Sequence, residues 1–418
     1  MTGFFYDLLM RLVCLLMRIV HGGHTLWLKP GGKTHRFVMG QQGLTAHIAT
    51  TMASVEGRLC WVHCASLGEY GVARPVIRQL RAEGMTVVLT FFSPSGYEVI
   101  QGRSDAADYV FYLPVDTRSN VSQFLDAVKP QRAVFIISEY WMNYLRELHA
   151  RHIPTFLVSA LIPSTSYLLK WYARPIRRAL RAMTTFMVLD EDSKENLAKT
   201  GFDNCVVTGN PLFDNALQTA QAEYRNPVLE RFCADCDEVF VAGSISDAHD
   251  LDLVTQLANR HPEMKFIMVP HEISEYSLND ISNHCEGLSV RYSECKEDSD
   301  LNRVQNLIID YVGDLARIYR YGKYAYVGGG FTKYLHSVIE PVVYGLPVAF
   351  GPNIQRKATP RQMTALGIGA VVTTADELHQ WYAEVAALSY AEVSRKARDY
   401  AVRNGGATQS ITNIILKG

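Results

Sequence analysis

The part of the chain best suited to chemistry is a short turn that carries one carboxylate. It reads HCASLGEYG over residues 63–71, and it lies between an apolar run at 59–62 and an amphipathic run at 72–80. This order predicts a strand, a glycine turn and a helix, with Glu69 at the carboxyl edge of a parallel sheet, where open α/β folds bind ligands. A carboxylate at that edge can accept a proton from an incoming hydroxyl group. A glutamate favoured by the dipole at a helix start fits the same pattern, so the turn alone leaves both interpretations open.

Two loops in the second half of the chain have the composition of nucleotide-binding turns. Residues 242–247, AGSISD, follow an apolar run and precede a helical pattern, so backbone N–H groups around Ser244 can hold an anion. Gly328, Gly329 and Gly330 follow another apolar run, and a triple glycine lets the backbone approach a ligand closely. Glu340, on the element that follows, suits a ribose diol. A glycine run fits a plain structural turn equally well.

These loops belong to a chain that alternates short β-branched runs with helical patterns. The runs lie at 59–62, 86–91, 109–113, 132–137, 155–158, 186–189 and 205–207, and then at 239–242, 266–269, 306–309, 324–327, 348–350 and 370–373. Such alternation predicts two doubly wound parallel sheets, one in each half. Turns that follow the strands share one edge of a sheet, so we expect a ligand cleft between two domains. The polar stretch 218–230 is the best candidate for the domain boundary.

Length, composition and charge agree with two globular domains. The chain has 418 residues, of which 48% are hydrophobic and 20% charged, so a sizeable core is expected. Its formal net charge is −1, which provides no overall field to recruit nucleic acid. The eight cysteines are scattered in a large chain, so reduced thiols are favoured over disulfides. Cys233 and Cys236 form a lone C-x-x-C pair, for which ordinary thiols are favoured over a metal or redox site.

The N-terminal segment differs from the rest of the chain. Residues 4–20 read FFYDLLMRLVCLLMRIV, and on a helix Asp7, Arg11 and Arg18 share one narrow face. The segment is short and charged for a membrane span, and it lacks the cleavage site of a signal peptide. The pattern favours a helix in the membrane interface, with Trp27 and Lys29 as anchors. The alternative is a helix packed on its own domain or on a partner.

With these features together, the chain resembles the 3-deoxy-D-manno-oct-2-ulosonic acid (Kdo) transferases, the inner-membrane enzymes of lipopolysaccharide synthesis. The similarity runs over almost the whole length. It includes the N-terminal segment and HCASLGEYG at 63–71, TFFSPSGYE at 90–98, YLPVDT at 112–117, SEYW at 138–141, VTGN at 207–210, AGSISD at 242–247 and VGGG…HSVIEP…GLPVAFGPN at 327–353. The resemblance implies the GT-B glycosyltransferase fold, an α/β architecture of two Rossmann-like domains facing across a cleft. The expected parts are an N-terminal membrane-interface anchor helix at 1–30, an acceptor domain at 31–217, a CMP-sugar-binding domain at 218–400 and a C-terminal helix at 401–418 that packs back on the first domain.

The resemblance also implies a reaction and its residues. It implies inverting, metal-independent transfer of Kdo from CMP-Kdo to the glucosamine disaccharide of a lipid A precursor, at the cytoplasmic face of the bacterial inner membrane. No cofactor and no nucleic acid is expected. Glu69 matches the family's general base. The acceptor or donor-sugar residues would be Ser66, Gly68, Ser93, Ser95, Glu139 and Trp141, and the CMP residues would be Ser244, His271, Gly328, Gly329, Gly330, His336 and Glu340.

Three positions depart from the family pattern. His271-Glu272 stands where many relatives have Arg-His, so a permanent cation beside the leaving phosphate is missing. His336-Ser337 replaces the usual His-Asn, and Ser159-Ala160-Leu161 replaces Asn-Ala-Arg. The phosphate contacts that relatives make through these residues therefore differ in this chain.

A basic stripe lies in the first domain. Lys170, Arg174, Arg177, Arg178 and Arg181 recur at three- and four-residue spacing, which places them on one face of a predicted helix. The stripe can contact lipid headgroups or an acceptor phosphate. A solvated helix face is the alternative.

Two other classes of protein compete with Kdo transfer. One is another GT-B enzyme, either a nucleotide-sugar glycosyltransferase with a different donor or an epimerase. An epimerase has no need of a membrane anchor, so residues 4–20 argue against it. The other is a non-catalytic, membrane-associated ligand-binding protein of the same fold. Such a protein has no use for a base at position 69.

Overall fold

The computed structural model describes residues 2–21, 31–103, 105–332, 335–355 and 357–418. The chain forms two compact units. Unit 1 comprises Met1–Asp214 and Gly406–Gly418, and unit 2 comprises Asn215–Gly405. Trp27 and Lys29, the predicted interfacial anchors, lie outside the described residues.

Unit 1 is built on one sheet of parallel strands. The strands are β1 (Leu59–Cys64), β2 (Thr86–Phe91), β3 (Tyr109–Tyr112), β4 (Arg132–Ile136), β5 (Thr155–Ala160), β6 (Thr185–Val188) and β7 (Cys205–Val207). Their order across the sheet is β3-β2-β1-β4-β5-β6-β7. Every residue of β1 and of β5 is buried. Parallel sheets are covered on both faces, which is why continuous apolar runs predicted these strands.

Helices pack on both faces of this sheet. They are α1 (Thr2–His21), α2 (Lys33–Gly40), α3 (Leu44–Met52), α4 (Leu67–Ala82), α5 (Pro94–Ile100), α6 (Arg118–Val128), α7 (Met142–Ala150), α8 (Arg174–Leu180), α9 (Glu191–Ala198) and α10 (Pro211–Gln221). Alternate residues of β1 belong to two separate core clusters. Trp61 packs with side chains of α3, α6 and α7, whereas Val62 packs with side chains of α4.

Unit 2 repeats this architecture. Its strands are β8 (Val239–Ile245), β9 (Lys265–Pro270), β10 (Ser289–Arg291), β11 (Asn306–Ile308), β12 (Tyr324–Val327), β13 (Val348–Phe350) and β14 (Gly369–Val371), in the order β10-β11-β9-β8-β12-β13-β14. The helices are α11 (Pro227–Cys233), α12 (Ala248–Arg260), α13 (Glu275–His284), α14 (Leu315–Ile318), α15 (Ile339–Val343), α16 (Ala358–Ala365), α17 (Ala375–Glu384) and α18 (Tyr390–Arg403). The sequence did not predict β10, because this half-buried edge strand of Ser, Val and Arg has no apolar run.

The last helix, α19 (Ala407–Lys417), belongs to unit 1. Its buried Ile411 and Ile415 join the core cluster that contains α4, and the Arg132 guanidinium donates a hydrogen bond of 2.9 Å to the carbonyl oxygen of Leu416. The second segment of unit 1 begins at Gly406 rather than at residue 401, because α18 continues to Arg403.

The boundary between the units lies earlier than the sequence suggested. It falls inside α10, between Asp214 and Asn215, and not at 217/218. The carboxylate of Asp214 accepts hydrogen bonds from the backbone N–H groups of Gly406 at 2.5 Å and Thr408 at 2.6 Å. These bonds join the two segments of unit 1 at the point where the chain leaves and re-enters it.

Helix α1 is attached to unit 1 through polar residues and through Cys14 and Met17, which pack against the core. Tyr6 donates a hydrogen bond of 2.7 Å to Asp116, and Asp7 accepts one of 2.9 Å from the backbone N–H of Arg118. Asp7 is 6% exposed. Six of the described apolar side chains of the helix are between 50% and 62% exposed, namely Phe5, Leu8, Leu9, Leu12, Leu15 and Leu16. Among the described residues, no helix is long and apolar enough to cross a membrane.

Candidate functional site

In each sheet the first strand, β1 or β8, has later strands on both sides, so the strand order reverses beside it. Several predicted site residues follow the strands at this reversal. In unit 1 the reversal lies between the neighbouring strands β1 and β4, whose loops carry Glu69 and Glu139. In unit 2 it lies between β8 and β12, which lead to Ser246 and to the loop of Gly328–Gly330. Open α/β sheets bind ligands at such reversals, outside the carboxyl ends of the strands.

Glu69 is the third residue of α4, whose N-cap is Ser66. One oxygen, Oε2, accepts a short hydrogen bond from the backbone N–H of Ala65. Burial raises the pKa of Glu69 to about 7, and the charge of Glu139 adds to this effect. Among the described residues, no cation forms an ion pair with Glu69. The carboxylate therefore holds the turn that precedes α4 and is also able to exchange a proton near neutral pH.

Glu139 is held by an indole and lies beside a buried imidazole. Trp141 Nε1 donates a hydrogen bond of 2.7 Å to Glu139 Oε2. His63 Nε2 lies 3.4 Å from the same oxygen, and His63 has no exposed surface. The structure thus brings Glu139 and Trp141 together with the motif that carries Glu69.

The loop after β2 is joined to the Glu69 turn. Ser93 donates its backbone N–H to the carbonyl oxygen of Ala65 at 2.8 Å, and its hydroxyl lies 2.8 Å from that of Ser95. Beside Gly68 the space is open, since an added Cβ would meet just the Ser66 hydroxyl at 3.9 Å. Ser66, Gly68, Ser93 and Ser95 therefore lie around the start of α4, and their role in sugar binding stays a prediction.

The triple-glycine loop of unit 2 is fixed by a buried carboxylate that the sequence did not reveal. Asp250 is fully buried and accepts hydrogen bonds from Gly329 N at 2.8 Å, Ser246 N at 3.0 Å and the Tyr326 hydroxyl at 2.6 Å. A Cβ on Gly328 would lie 2.7 Å from Asp250 Oδ2. Gly329 has a φ of +85°, which favours glycine. The glycines are needed for this packing whether or not a ligand binds.

Ser244 lies within a strand and not in a loop that opens a helix. β8 continues to Ile245 through an irregularity at Ser244, whose φ is +56°. The N-cap of α12 is Asp247, whose side chain accepts from the N–H groups of His249 at 2.8 Å and Asp250 at 3.0 Å. The carboxylate of Asp247 therefore occupies these two N–H groups at the start of α12, and the assignment of Ser244 to CMP binding stays a prediction.

A cluster of histidines lies next to Ser246. The Ser246 hydroxyl donates to the carbonyl oxygen of Ser244 at 2.8 Å, so it accepts from His336 Nε2 at 3.0 Å. The rings of His336 and His271 are 4.3 Å apart. Burial lowers the pKa of His336 to about 4, and His271 and Lys357 add to the effect. His336 is thus a neutral donor near pH 7.

Glu340 and Lys357 complete this part of unit 2. Glu340 Oε2 is buried and has no hydrogen-bond partner among the described residues. Lys357 is a residue that the sequence did not single out. Its ammonium donates to the carbonyl oxygen of Leu335, and burial lowers its pKa whereas Glu340 raises it. A buried carboxylate oxygen without a partner is a ready acceptor for a ligand hydroxyl.

The predicted basic stripe is not one helix face. Lys170 precedes a 3₁₀ turn at Trp171–Ala173, and α8 begins at Arg174. The guanidinium of Arg177 donates to the carbonyl oxygens of Leu168 at 2.5 Å and Lys170 at 2.7 Å, so it stabilises the turn. The exposed cations are Lys170, Arg174, Arg178 and Arg181. Beside them Trp171 is 79% exposed and Tyr172 is 57% exposed, a feature that the sequence analysis missed.

The described residues contain no cluster of three or more His, Cys, Asp or Glu side chains that could hold a metal ion. None of the eight cysteines, all of which lie among the described residues, forms a disulfide bond. Burial raises the pKa of Cys233, the first cysteine of the C-x-x-C pair, to about 12. This thiol is therefore protonated near neutral pH and is a weak nucleophile.

The fold places the chain among proteins with two Rossmann-like units, in the manner of GT-B enzymes. It is similar to UDP-GlcNAc 2-epimerase from Neisseria meningitidis, with a TM-score of 0.63 and 15% identity over 87% of this chain and 100% of that one. It is also similar to MurG from Acinetobacter baumannii, with a TM-score of 0.58 and 12% identity over 87% and 100% of the two chains. At these identities the likeness concerns the fold alone.

The sequence defines the family more narrowly. Residues 35–215 match the model of 3-deoxy-D-manno-octulosonic-acid transferase (kdotransferase). The 3-deoxy-D-manno-octulosonic acid transferase of Haemophilus influenzae is 25% identical over 380 residues, which cover 85% of this chain and 86% of that protein. A bifunctional glycosyltransferase/methyltransferase of Fusobacterium nucleatum is 24% identical over 71% of this chain, which spans about half of that protein, 47%. The chain is therefore similar to the Kdo transferases, through the family match over residues 35–215 and through relatives that cover most of its length.

Proposed function

We propose that this chain transfers Kdo from CMP-Kdo to the glucosamine disaccharide of a lipid A precursor at the cytoplasmic face of the bacterial inner membrane. The transfer is a single displacement that inverts the anomeric centre and needs no metal or other cofactor. The observation that carries the proposal is the position and pKa of Glu69. Its carboxylate follows β1 at the reversal of the sheet, and its pKa is raised to about 7.

Glu69 is suited to activate the acceptor. A general base works best when its pKa lies near the working pH, because it then combines an ionised fraction with a strong tendency to take a proton. A carboxylate with a pKa of about 7 is about half ionised at neutral pH. In the proposed step, Glu69 accepts the proton of the acceptor hydroxyl. The oxygen of that hydroxyl bonds to the anomeric carbon of Kdo while the bond from this carbon to CMP breaks.

Unit 2 supplies the groups that would bind CMP. Glu340 offers a buried oxygen without a partner, which a ribose hydroxyl satisfies. His336 is a neutral donor, and His271 lies against it in place of the cation that many relatives carry. Lys357 lies in the same cluster; burial lowers the pKa of its ammonium, and the nearby charge of Glu340 opposes this effect. A departing phosphate is stabilised by such donors.

Two surfaces of unit 1 support a lipid acceptor. Helix α1 leaves its apolar side chains about half exposed while its buried Asp7 faces the protein. The loop after β5 exposes Trp171 and Tyr172 beside Lys170, Arg174 and Arg178. Aromatic side chains favour the membrane interface, and each cation near an anionic membrane contributes about 1 kcal/mol. We therefore assign both surfaces to the bilayer.

The membrane assignment is tested with vesicles that contain anionic lipid. Arg174 and Arg178 are replaced by Gln together, while Arg395 and Arg403, two exposed arginines of α18 in unit 2, are replaced by Gln as a matched double variant. Loss of Arg174 and Arg178 should weaken binding about tenfold or more. Equal binding by the first double variant and the native protein would remove the basic residues from the membrane contact.

The reaction is tested by product mass. Purified protein is incubated with a CMP-Kdo-generating system and a tetraacylated lipid A precursor, and the products are read by mass spectrometry. The expected result is a gain of one or more Kdo units. Glu69→Gln should abolish the gain while CMP still binds, whereas Glu83→Gln, an exposed carboxylate at the other end of the same helix, should leave it intact. Normal transfer by Glu69→Gln would refute the role of the base.

A further inference from the structure

A line of buried polar side chains runs beneath Glu139 into the core of unit 1. Trp61 and His63 lie on β1, Thr90 lies on β2, and none of the three has exposed surface. Trp61 Nε1 donates to Thr90 Oγ1 at 2.8 Å, and His63 Nδ1 lies 2.9 Å from the same hydroxyl. Burying polar groups costs free energy unless they are hydrogen-bonded, and these groups satisfy one another. The contact of Nδ1 with Thr90 thereby fixes the buried side of the His63 ring.

The outer edge of the His63 ring contacts Glu139 and Trp141, which belong to the SEYW motif after β4. His63 Nε2 lies 3.1 Å from Trp141 Nε1 and 3.4 Å from Glu139 Oε2. Trp141 Nε1 lies 2.7 Å from that same carboxylate oxygen. The three atoms form a compact triangle, with His63 at its buried corner. Glu139 is 16% exposed at its side chain, so the triangle forms at the surface end of the line.

We propose that His63 is a positioning residue, whose buried ring fixes Trp141 and with it the carboxylate of Glu139 beside the Glu69 turn. The proposal rests on the proposed function in one respect: it takes Glu69 as the general base, whose protonation controls transfer. Glu139 raises the pKa of Glu69 by its negative charge. If the carboxylate of Glu139 moves away, its charge no longer raises the pKa of Glu69. His63 therefore acts on Glu69 through Glu139.

The other titratable groups near these carboxylates are neutral at the relevant pH. Cys64 on β1 interacts with both carboxylates, and burial raises the pKa of its thiol. Tyr140, after β4, and Tyr167, in the loop after β5, interact with Glu139, and burial raises the pKa of each phenol. These three groups therefore stay uncharged while Glu69 titrates. The charges that act on the titration of Glu69 are therefore that of Glu139 and that of any proton on His63.

The test measures the titration of Glu69 itself, so it does not depend on transfer. Protein labelled with ¹³C at the glutamate carboxyl carbons is titrated by NMR, and the Glu69 signal is identified by its loss in Glu69→Gln. Glu139→Gln should move the Glu69 titration downward by about one pH unit, because a like charge is removed. His63→Asn keeps an amide near Thr90 but removes the contact with Trp141 and Glu139, and it should move the titration in the same direction.

Two further variants separate positioning from general damage to the core. His63→Gln places an amide where Nε2 lies and should restore the native titration. In the Glu139→Gln background, His63→Asn should cause no further shift. An unchanged Glu69 titration in folded His63→Asn, or an equal shift with and without Glu139, would overturn the proposal.

A third variant covers the case in which His63→Asn does not fold. Trp141→Phe retains an aromatic ring but loses the donor, and it should move the titration downward as well. An unchanged titration in this variant would also overturn the proposal. If the native protein transfers no sugar and these shifts still occur, the proposed function fails and the positioning role stands.

Discussion

Replacing Glu69 by Gln should stabilise the fold, although it should abolish transfer. The pKa of Glu69 is raised from an ordinary value of 4.5 to about 7 by burial and by Glu139. A group whose pKa is raised on folding holds its proton more tightly in the folded chain. The ionised form therefore destabilises the fold, and this cost appears as the pH rises from 4.5 through 7 and stays constant above.

The magnitude follows from the same values. Each pH unit corresponds to 1.36 kcal/mol, so the full cost would be about 3 kcal/mol at pH 8. Glu69 is partly exposed, and solvent screening reduces the cost to about 1–2 kcal/mol. Gln removes the charge and retains an oxygen that accepts from Ala65 N. We expect a gain of that size at pH 8 and about a quarter of it at pH 5.

Urea unfolding of the native protein, Glu69→Gln and Glu83→Gln at both pH values measures these differences. Glu83 is exposed at the end of the same helix, so its replacement should change the free energy of unfolding by less than about 0.5 kcal/mol. The reasoning fails if Glu69→Gln gives no gain at pH 8, or the same gain at pH 5. Either result would mean that the carboxylate is not buried beside a like charge.

Three other outcomes are expected. The rate of transfer should follow the ionisation of Glu69, so at pH 6 kcat/KM should be about one-tenth of its plateau, and a flat profile down to pH 5 would contradict a pKa of about 7. Gly328→Ala should lower the free energy of unfolding of unit 2 by about 2 kcal/mol, since the new Cβ overlaps a backbone carbonyl, whereas Gly68→Ala meets open space and should cost nothing in the same denaturation assay. Replacing Leu8 and Leu12, each about half exposed, by Gln together should reduce sedimentation with vesicles at least tenfold without changing the circular dichroism spectrum, and unchanged sedimentation would exclude this face.

The strands could be predicted because parallel sheets bury both faces and so leave continuous apolar runs in the sequence. The run at 348–350 coincides with β13, and that at 205–207 with β7. The same rule explains the failure at β10, a half-buried edge strand without such a run. Ser244 was misplaced for a related reason, since Gly-Ser is typical of a turn but here continues a strand with an irregular residue.

The parts of the site that the sequence did not reveal depend on tertiary contacts. Asp250 reads as an ordinary residue near a helix start, and its role appears when Gly329, Ser246 and Tyr326 are seen to converge on it. Arg177 has the spacing of a surface cation, but two carbonyl oxygens of the preceding turn occupy it. A spacing of three or four residues predicts a shared face only within a continuous helix. The turn at Trp171–Ala173 separates Lys170 from α8, so these residues do not share one face.

The position of α19 in unit 1 has a consequence for biosynthesis. This helix completes the packing next to β1 and α4, yet it is separated from them in sequence by all of Asn215–Gly405. The ribosome synthesises the chain from its N-terminus, so Met1–Asp214 is made first. The core of unit 1 is complete only after Gly406–Gly418 has been made. Unit 2 is continuous and can finish first. The nascent N-terminal region, with the apolar side chains of Ile411 and Ile415 still missing from its core, is then the part of the chain most in need of a chaperone.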